Sequence, residues 1–169
     1  LSDGEISSIN SGIGNAGNVD VNTAKLVIDG QGTSTGISSI NKAFSGNTGI
    51  VTVLAEGMLS VLDRGMINST TFSQGDSGKV NIVVGELLID GHGVYTGIFS
   101  NSDSDSSSNA GVVTVISKGL LSVINGGQIS ASKYGYYNEG RGGMVNVKAN
   151  TILIDGKGRT HTGISSTAS

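Results

Sequence analysis

Five acidic or amide side chains recur where they could act together: Asp29, Asp90 and Asp155, each followed by glycine, with Asp63 and Asn125 at the corresponding corner of the stretches between. If repeated strands stack them, they form a file of oxygen ligands about 5 to 10 Å apart, a corner at which a calcium ion could gather carboxylates. The competing reading needs no metal, because an aspartate before glycine readily accepts a backbone N–H in an Asx-turn. The chain also lacks the Gly-Gly-x-Gly-x-Asp nonapeptide of calcium-binding β-rolls. The turn reading is preferred, and no cofactor is expected. Asp29, Asp63 and Asp90 with Arg64 are also the candidates for acid–base work on a polysaccharide, since two carboxylates at a controlled separation can give and take the proton. They recur because the turn recurs, whereas a catalytic cluster should break a repeat once. No catalytic residue is expected.

Two stretches do break the pattern. Residues 101–109 place Asp103 and Asp105 among serines, which resembles a cation loop only weakly; a solvated loop is the simpler reading. Residues 133–141 hold Tyr134, Tyr136 and Tyr137 together with Arg141. Exposed tyrosine beside arginine suits contact with a sugar or a protein, and the bland alternative is that the rings fold back over the side of the molecule. His92 and His161 sit at different offsets and do not make a metal pair. Asn68-Ser69-Thr70 is a single sequon, read as accidental.

The elements that carry these residues follow from a repeat. Glycines 17, 49, 78, 111 and 143 each precede a Val-x-Val type alternation, at intervals of 32, 29, 33 and 32 residues. The first strand of each unit carries Val19/Val21, Val51/Val53, Val80/Ile82, Val113/Val115 and Val145/Val147. The second carries Leu26/Ile28, Leu59/Val61, Leu87/Ile89, Leu121/Val123 and Ile152/Ile154. A third, shorter strand centres on Ile37, Ile67, Ile98, Ile129 and Ile164. A spacing of two with β-branched residues means one buried and one exposed face. Units with Asp-Gly-x-Gly alternate with units that carry one extra residue before the second strand, as in Gly57-Met58-Leu59 and Gly119-Leu120-Leu121.

Three short strands per unit, with bends too short for a helix, bury these faces only by coiling. The predicted fold is an all-β, right-handed parallel β-helix of about five coils, with like side chains piled in files. The partial coil 1–16, coils 17–48, 49–77, 78–110 and 111–142, and the partial coil 143–169 form one segment of a longer array. Gly30, Gly91 and Gly156 are expected to take positive φ at the Asp-Gly corner, and other glycines to let coils approach closely. Loops 38–48, 100–110 and 130–142 are expected to leave the cylinder at one corner.

Gly17-x-Val19-x-Val21, Leu26-x-Ile28-Asp29-Gly30-x-Gly32 and Thr35-Gly36-Ile37-Ser38-Ser39 resemble the repeats of filamentous-haemagglutinin-like exoproteins, and the resemblance covers essentially the whole chain. It implies a bacterial product of two-partner secretion, placed outside the cell or on its surface, whose repeats act as a non-catalytic shaft. Composition agrees. There are 28 glycines and no Pro, Cys or Trp, so disulfides and thiol chemistry are excluded. The net charge of -3 is spread over mixed signs, which disfavours nucleic acid, and no apolar run approaches membrane-spanning length. The chain opens in mid-pattern, so the start of the protein is expected upstream. Expected partners are neighbouring repeats or other copies end to end. Alternatives are a direct adhesin, contacting glycans or matrix proteins through loops 100–110 and 130–142, and a polysaccharide lyase or hydrolase on the same fold.

Overall fold

The computed structural model describes residues 4–42, 45–103, 107–135 and 140–168, and among them every regular element is a strand. β1 (Glu5–Asn10) belongs to a partial coil. The first complete coil holds β2 (Val19–Thr23), β3 (Leu26–Asp29) and β4 (Thr35–Asn41). The next holds β5 (Ile50–Leu62) and β6 (Gly65–Thr71). Then come β7 (Lys79–Asp90), β8 (Thr96–Phe99) and β9 (Ser102–Asp103), followed by β10 (Val112–Ile124), β11 (Gly127–Ser130) and β12 (Lys133–Tyr134). β13 (Met144–Asp155) and β14 (Gly163–Ser165) close the chain.

All pairings between these strands are parallel, and they join equivalent strands of successive coils. One sheet runs β2-β5-β7-β10-β13, with β3 also on β5; the other runs β1-β4-β6-β8-β11-β14. This is a parallel β-solenoid of about five turns. The register is the one the alternation predicts: Val19, Val51, Val80, Val113 and Val145 are successive partners, and so are Leu26, Leu59, Leu87, Leu121 and Ile152. Ile6 extends the third file of Ile37, Ile67, Ile98, Ile129 and Ile164. In the middle coils these side chains are wholly buried and form one continuous core. Parallel strands covered in this way satisfy every ladder position while leaving the two ends of the stack open. At the C-terminal end Ile152 and Ile154 are accordingly about half exposed.

Three details differ from expectation. The first two strands of a unit run on as one strand of 12 or 13 residues in four of the coils. The extra residue of the alternating units is absorbed as a register shift between Ala55 and Met58 and just after Ser117. The positive φ at the Asp-Gly corner does not fall on Gly30, Gly91 or Gly156. It falls on the next two residues: Gln31 and Gly32 (47° and 87°), His92 and Gly93 (48° and 84°), and Lys157 and Gly158 (44° and 77°). Glycine stands at 91 because a Cβ there would lie 2.6 Å from the Gly126 carbonyl carbon on the coil above. The glycines before the first strand obey the same logic, since a Cβ on Gly78 would land on the carbonyl oxygen of Gly49, and one on Gly111 on that of Gly78.

The third difference concerns the loops. Their described parts stay inside the stack. Asn15 Oδ1 accepts the Asn47 N–H (2.8 Å), Asn47 Oδ1 the Asp76 N–H (2.8 Å), Asp76 Oδ1 the Asn109 N–H (2.7 Å) and Asn109 Oδ1 the Arg141 N–H (2.9 Å). Backbone bonds run beside this side-chain ladder, from Ala16 to Asn47 and from Thr48 to Asp76. Each coil returns to the next through this side, so it is bonded like the sheets.

Candidate functional site

The Asp-Gly corner is built as a turn. Asp29 Oδ1 accepts the Gln31 N–H (3.2 Å), Asp90 Oδ1 the His92 N–H (3.1 Å) and Asp155 Oδ1 the Lys157 N–H (2.9 Å). These are Asx-turns, each holding its own left-handed corner. The carboxylates do not form a single file. Asp29 is in register with Leu62, Leu62 with Asp90, Asp90 with Ile124 and Ile124 with Asp155, so an aliphatic residue separates each acid from the next. Asp63 and Asn125 lie one residue further on, in the left-handed turn (φ 38° and 54°), with Arg64 beside Asp63 at 69°. The less favoured alternatives, a calcium corner and acid–base work by Asp29, Asp63, Asp90 and Arg64, would draw on a continuous file of acids, which this register does not form. Asp90 instead accepts the Asn125 side-chain amide (3.1 Å) and lies 3.7 Å from His92 Nε2.

The tyrosine stretch is divided. Tyr134 is 41 % exposed and paired through its strand to Asp103. Arg141 is exposed at the loop ladder, where its backbone bonds Asn109 and Ala110. Tyr136 and Tyr137 lie outside the described residues. Under Tyr134, the Lys133 side chain is fully buried, and its ammonium donates to the Tyr134 carbonyl oxygen (3.0 Å). Burial raises the Asp103 carboxyl above its ordinary value, and the Lys133 charge partly offsets this.

The arrangement with most chemical character lies on the outer face of the second sheet. Ser38, Asn68, Phe99 and Ser130 are successive partners on this face, opposite the isoleucine file. All are buried although they point away from the core, Asn68 with only 9 % exposure. Phe99 is covered by Tyr95, whose ring stacks on it with centroids 4.4 Å apart and planes 7° from parallel. The Tyr95 hydroxyl accepts the Asn101 side-chain amide (3.2 Å), and Asn101 Oδ1 in turn accepts the Ser132 N–H (2.9 Å) on the next coil. Burial, then the Asp103 charge and Tyr134, pushes ionisation of the Tyr95 hydroxyl far above its ordinary value, so the ring stays neutral. Tyr95 nonetheless keeps 50 % of its surface exposed.

Two hollows open onto this face. One, of about 300 Å³, is lined by Glu5, Ser34, Ser38, Met66 and Asn68, among others. Thr35 Oγ1 and Asn68 Oδ1, both from residues lining it, are buried without a hydrogen-bond partner. The other, of about 350 Å³, is lined by Tyr95, Tyr134, Gln128, Thr160, His161 and the glycines 93 and 126, among others. The combination of aromatic faces and amide, hydroxyl and imidazole groups can bind a ligand that is itself half apolar and half hydroxylic.

Sequence reasoning missed Tyr95, Phe99 and Asn101. The signal was present: the Asp-Gly-x-Gly motif aligns Tyr95 with Ser34 and Phe99 with Ser38, so two serines change to aromatics in one coil. It also missed a serine file two residues after the isoleucines, interrupted at Ala131. Ser39, Ser69 and Ser100 donate to the carbonyls of Gly17, Gly49 and Gly78 (2.9, 2.9 and 3.0 Å), closing each coil onto its own start, and Ser39 and Ser69 accept the N–H groups of Gly49 and Gly78, which open the next coil (2.8 and 3.2 Å). Comparison of the chain with protein-family models, curated proteins and solved structures finds no match, so the site is read from its own geometry.

Proposed function

We propose that the chain is a length of non-catalytic shaft from a secreted bacterial surface adhesin or extracellular filament of the two-partner secretion type. The observation that carries this reading is axial continuity. Three aliphatic files, a serine file and an asparagine ladder repeat from coil to coil along the stack. Each coil contacts mainly its neighbours, so stiffness grows with the number of coils and depends on no single residue. The acid corners serve this role by holding turns.

Ile152 and Ile154, half exposed on β13, offer an apolar surface that another coil or a second copy would cover. The function is tested by immunolabelling unpermeabilised cells of the source organism. External labelling that surface protease removes, on extended projections in electron micrographs, is expected. Labelling that appears only after permeabilisation contradicts the reading.

A further inference from the structure

We propose that the outer face of the second sheet is a saccharide-binding trench, in which Tyr95 and Tyr134 are ring platforms and Asn68, Gln128 and His161 bond sugar hydroxyls. This goes beyond the shaft reading and does not depend on it, because a shaft needs only its files.

Three observations carry it. First, the repeat is broken here in a matched way: the residues aligned with Ser34 and Ser38 become Tyr95 and Phe99 together, and the two rings stack. The stack and the Asn101 tether fix the Tyr95 ring in advance while half of it remains exposed. A rigid aromatic face costs little entropy when it binds, and a sugar ring offers the complement, a sheet of C–H bonds with hydroxyls at its rim. Second, the lining offers groups that pair with sugar hydroxyls: Glu5, Ser38 and Asn68 in the first hollow, and Gln128, Thr160 and His161 in the second.

Third, the polar groups are spread along the axis. They run from Ser38 and Asn68 on the first two complete coils to His161 on the last, a span of about 19 Å at the strand spacing. That shape fits a chain molecule lying parallel to the rod. A peptide would seek an open strand edge, and between its end strands this face presents none, because β4, β6, β8 and β11 are each paired on both sides. The guanidinium of Arg159 lies against Gly93, one of the residues that line the second hollow, and adds positive charge beside it.

The test is binding of the labelled chain to a printed array of neutral, uronate-containing and amino-sugar oligosaccharides, with affinities measured for the best binder. Binding is expected, and the double variant Tyr95→Ser with Phe99→Ser, which restores the serines of the aligned coil, should weaken it at least about tenfold. The exposed substitution Tyr134→Ala should weaken it as well while leaving the melting temperature unchanged, which guards against a folding defect in the double variant. Uronate-only binding that Arg159→Ala abolishes identifies an acidic glycan, and binding indifferent to Arg159 a neutral one; either supports the trench. Binding to no member of the array, or binding that survives both sets of substitutions, overturns it.

Discussion

Replacing Ser69 by alanine isolates the contribution of the serine file. Ser69 is fully buried; its hydroxyl donates to the Gly49 carbonyl (2.9 Å), accepts the Gly78 N–H (3.2 Å) and lies 2.6 Å from Thr48 Oγ1. In the alanine variant the Gly78 N–H keeps Thr48 Oγ1, which already accepts it at 2.6 Å. The loss is then two buried hydrogen bonds, the one to the Gly49 carbonyl and the one from the Thr48 hydroxyl, costing about 1–3 kcal/mol. Ser166 occupies the same place in the last coil and donates to the Gly143 carbonyl (2.6 Å), but it is exposed. Water can replace it there, and Ser166→Ala should cost less than about 0.5 kcal/mol. Urea unfolding followed by far-UV circular dichroism would compare the two, supported by melting curves in which each kcal/mol moves Tm by about 2–4 °C for a chain of this size. Equal losses for the two variants, or no loss for Ser69→Ala, would refute the claim that this file bonds the coils.

Three further outcomes follow from the same geometry. Gly78→Ala puts a methyl on the Gly49 carbonyl and within 2.9 Å of Ser69 Oγ, so adjacent coils must part; a loss of about 3 kcal/mol in urea unfolding is expected. Arg64 holds φ 69° where the aligned residue of the other alternating coil is Gly126. Arg64→Gly should stabilise by about 0.5–1 kcal/mol in the same assay, a relief of about 1–2 kcal/mol less the added freedom of the unfolded chain. Asp103, its carboxyl raised by burial, binds its proton more tightly folded than unfolded. Stability should therefore fall as pH rises from about 3.8 through the native value, and Asp103→Asn should flatten that limb of a stability–pH curve.

The aliphatic register was readable because burial on one face imposes a period of two, and a slip of one residue would turn every valine outward. The files of Val51, Leu59 and Ile67 are thus direct products of spacing. The corner was readable only as a turn. In Asp90-Gly91-His92-Gly93 two glycines compete for the left-handed position, and contact with the coil above, which sequence does not display, assigns Gly91 to close approach and His92 to positive φ. The serine and asparagine files were hidden for a different reason: isolated Ser39 or Asn47 looks like loop composition, and its role appears only when coils are superposed. The trench was harder still. It depends on Tyr95 lying over Phe99 and reaching Asn101, three residues whose meeting is tertiary.

The stacking itself can be measured with spin labels, since the chain has no native cysteine. Asp20, Thr52, Asn81, Thr114 and Asn146 are successive register partners on the outer face of the first sheet. Cysteine at Asp20 paired in turn with cysteine at each of the other four should give separations that grow by about 4.8 Å per coil, reaching about 19 Å for Asp20 and Asn146. Separations that do not rise in equal steps along this series would contradict a stack of parallel coils.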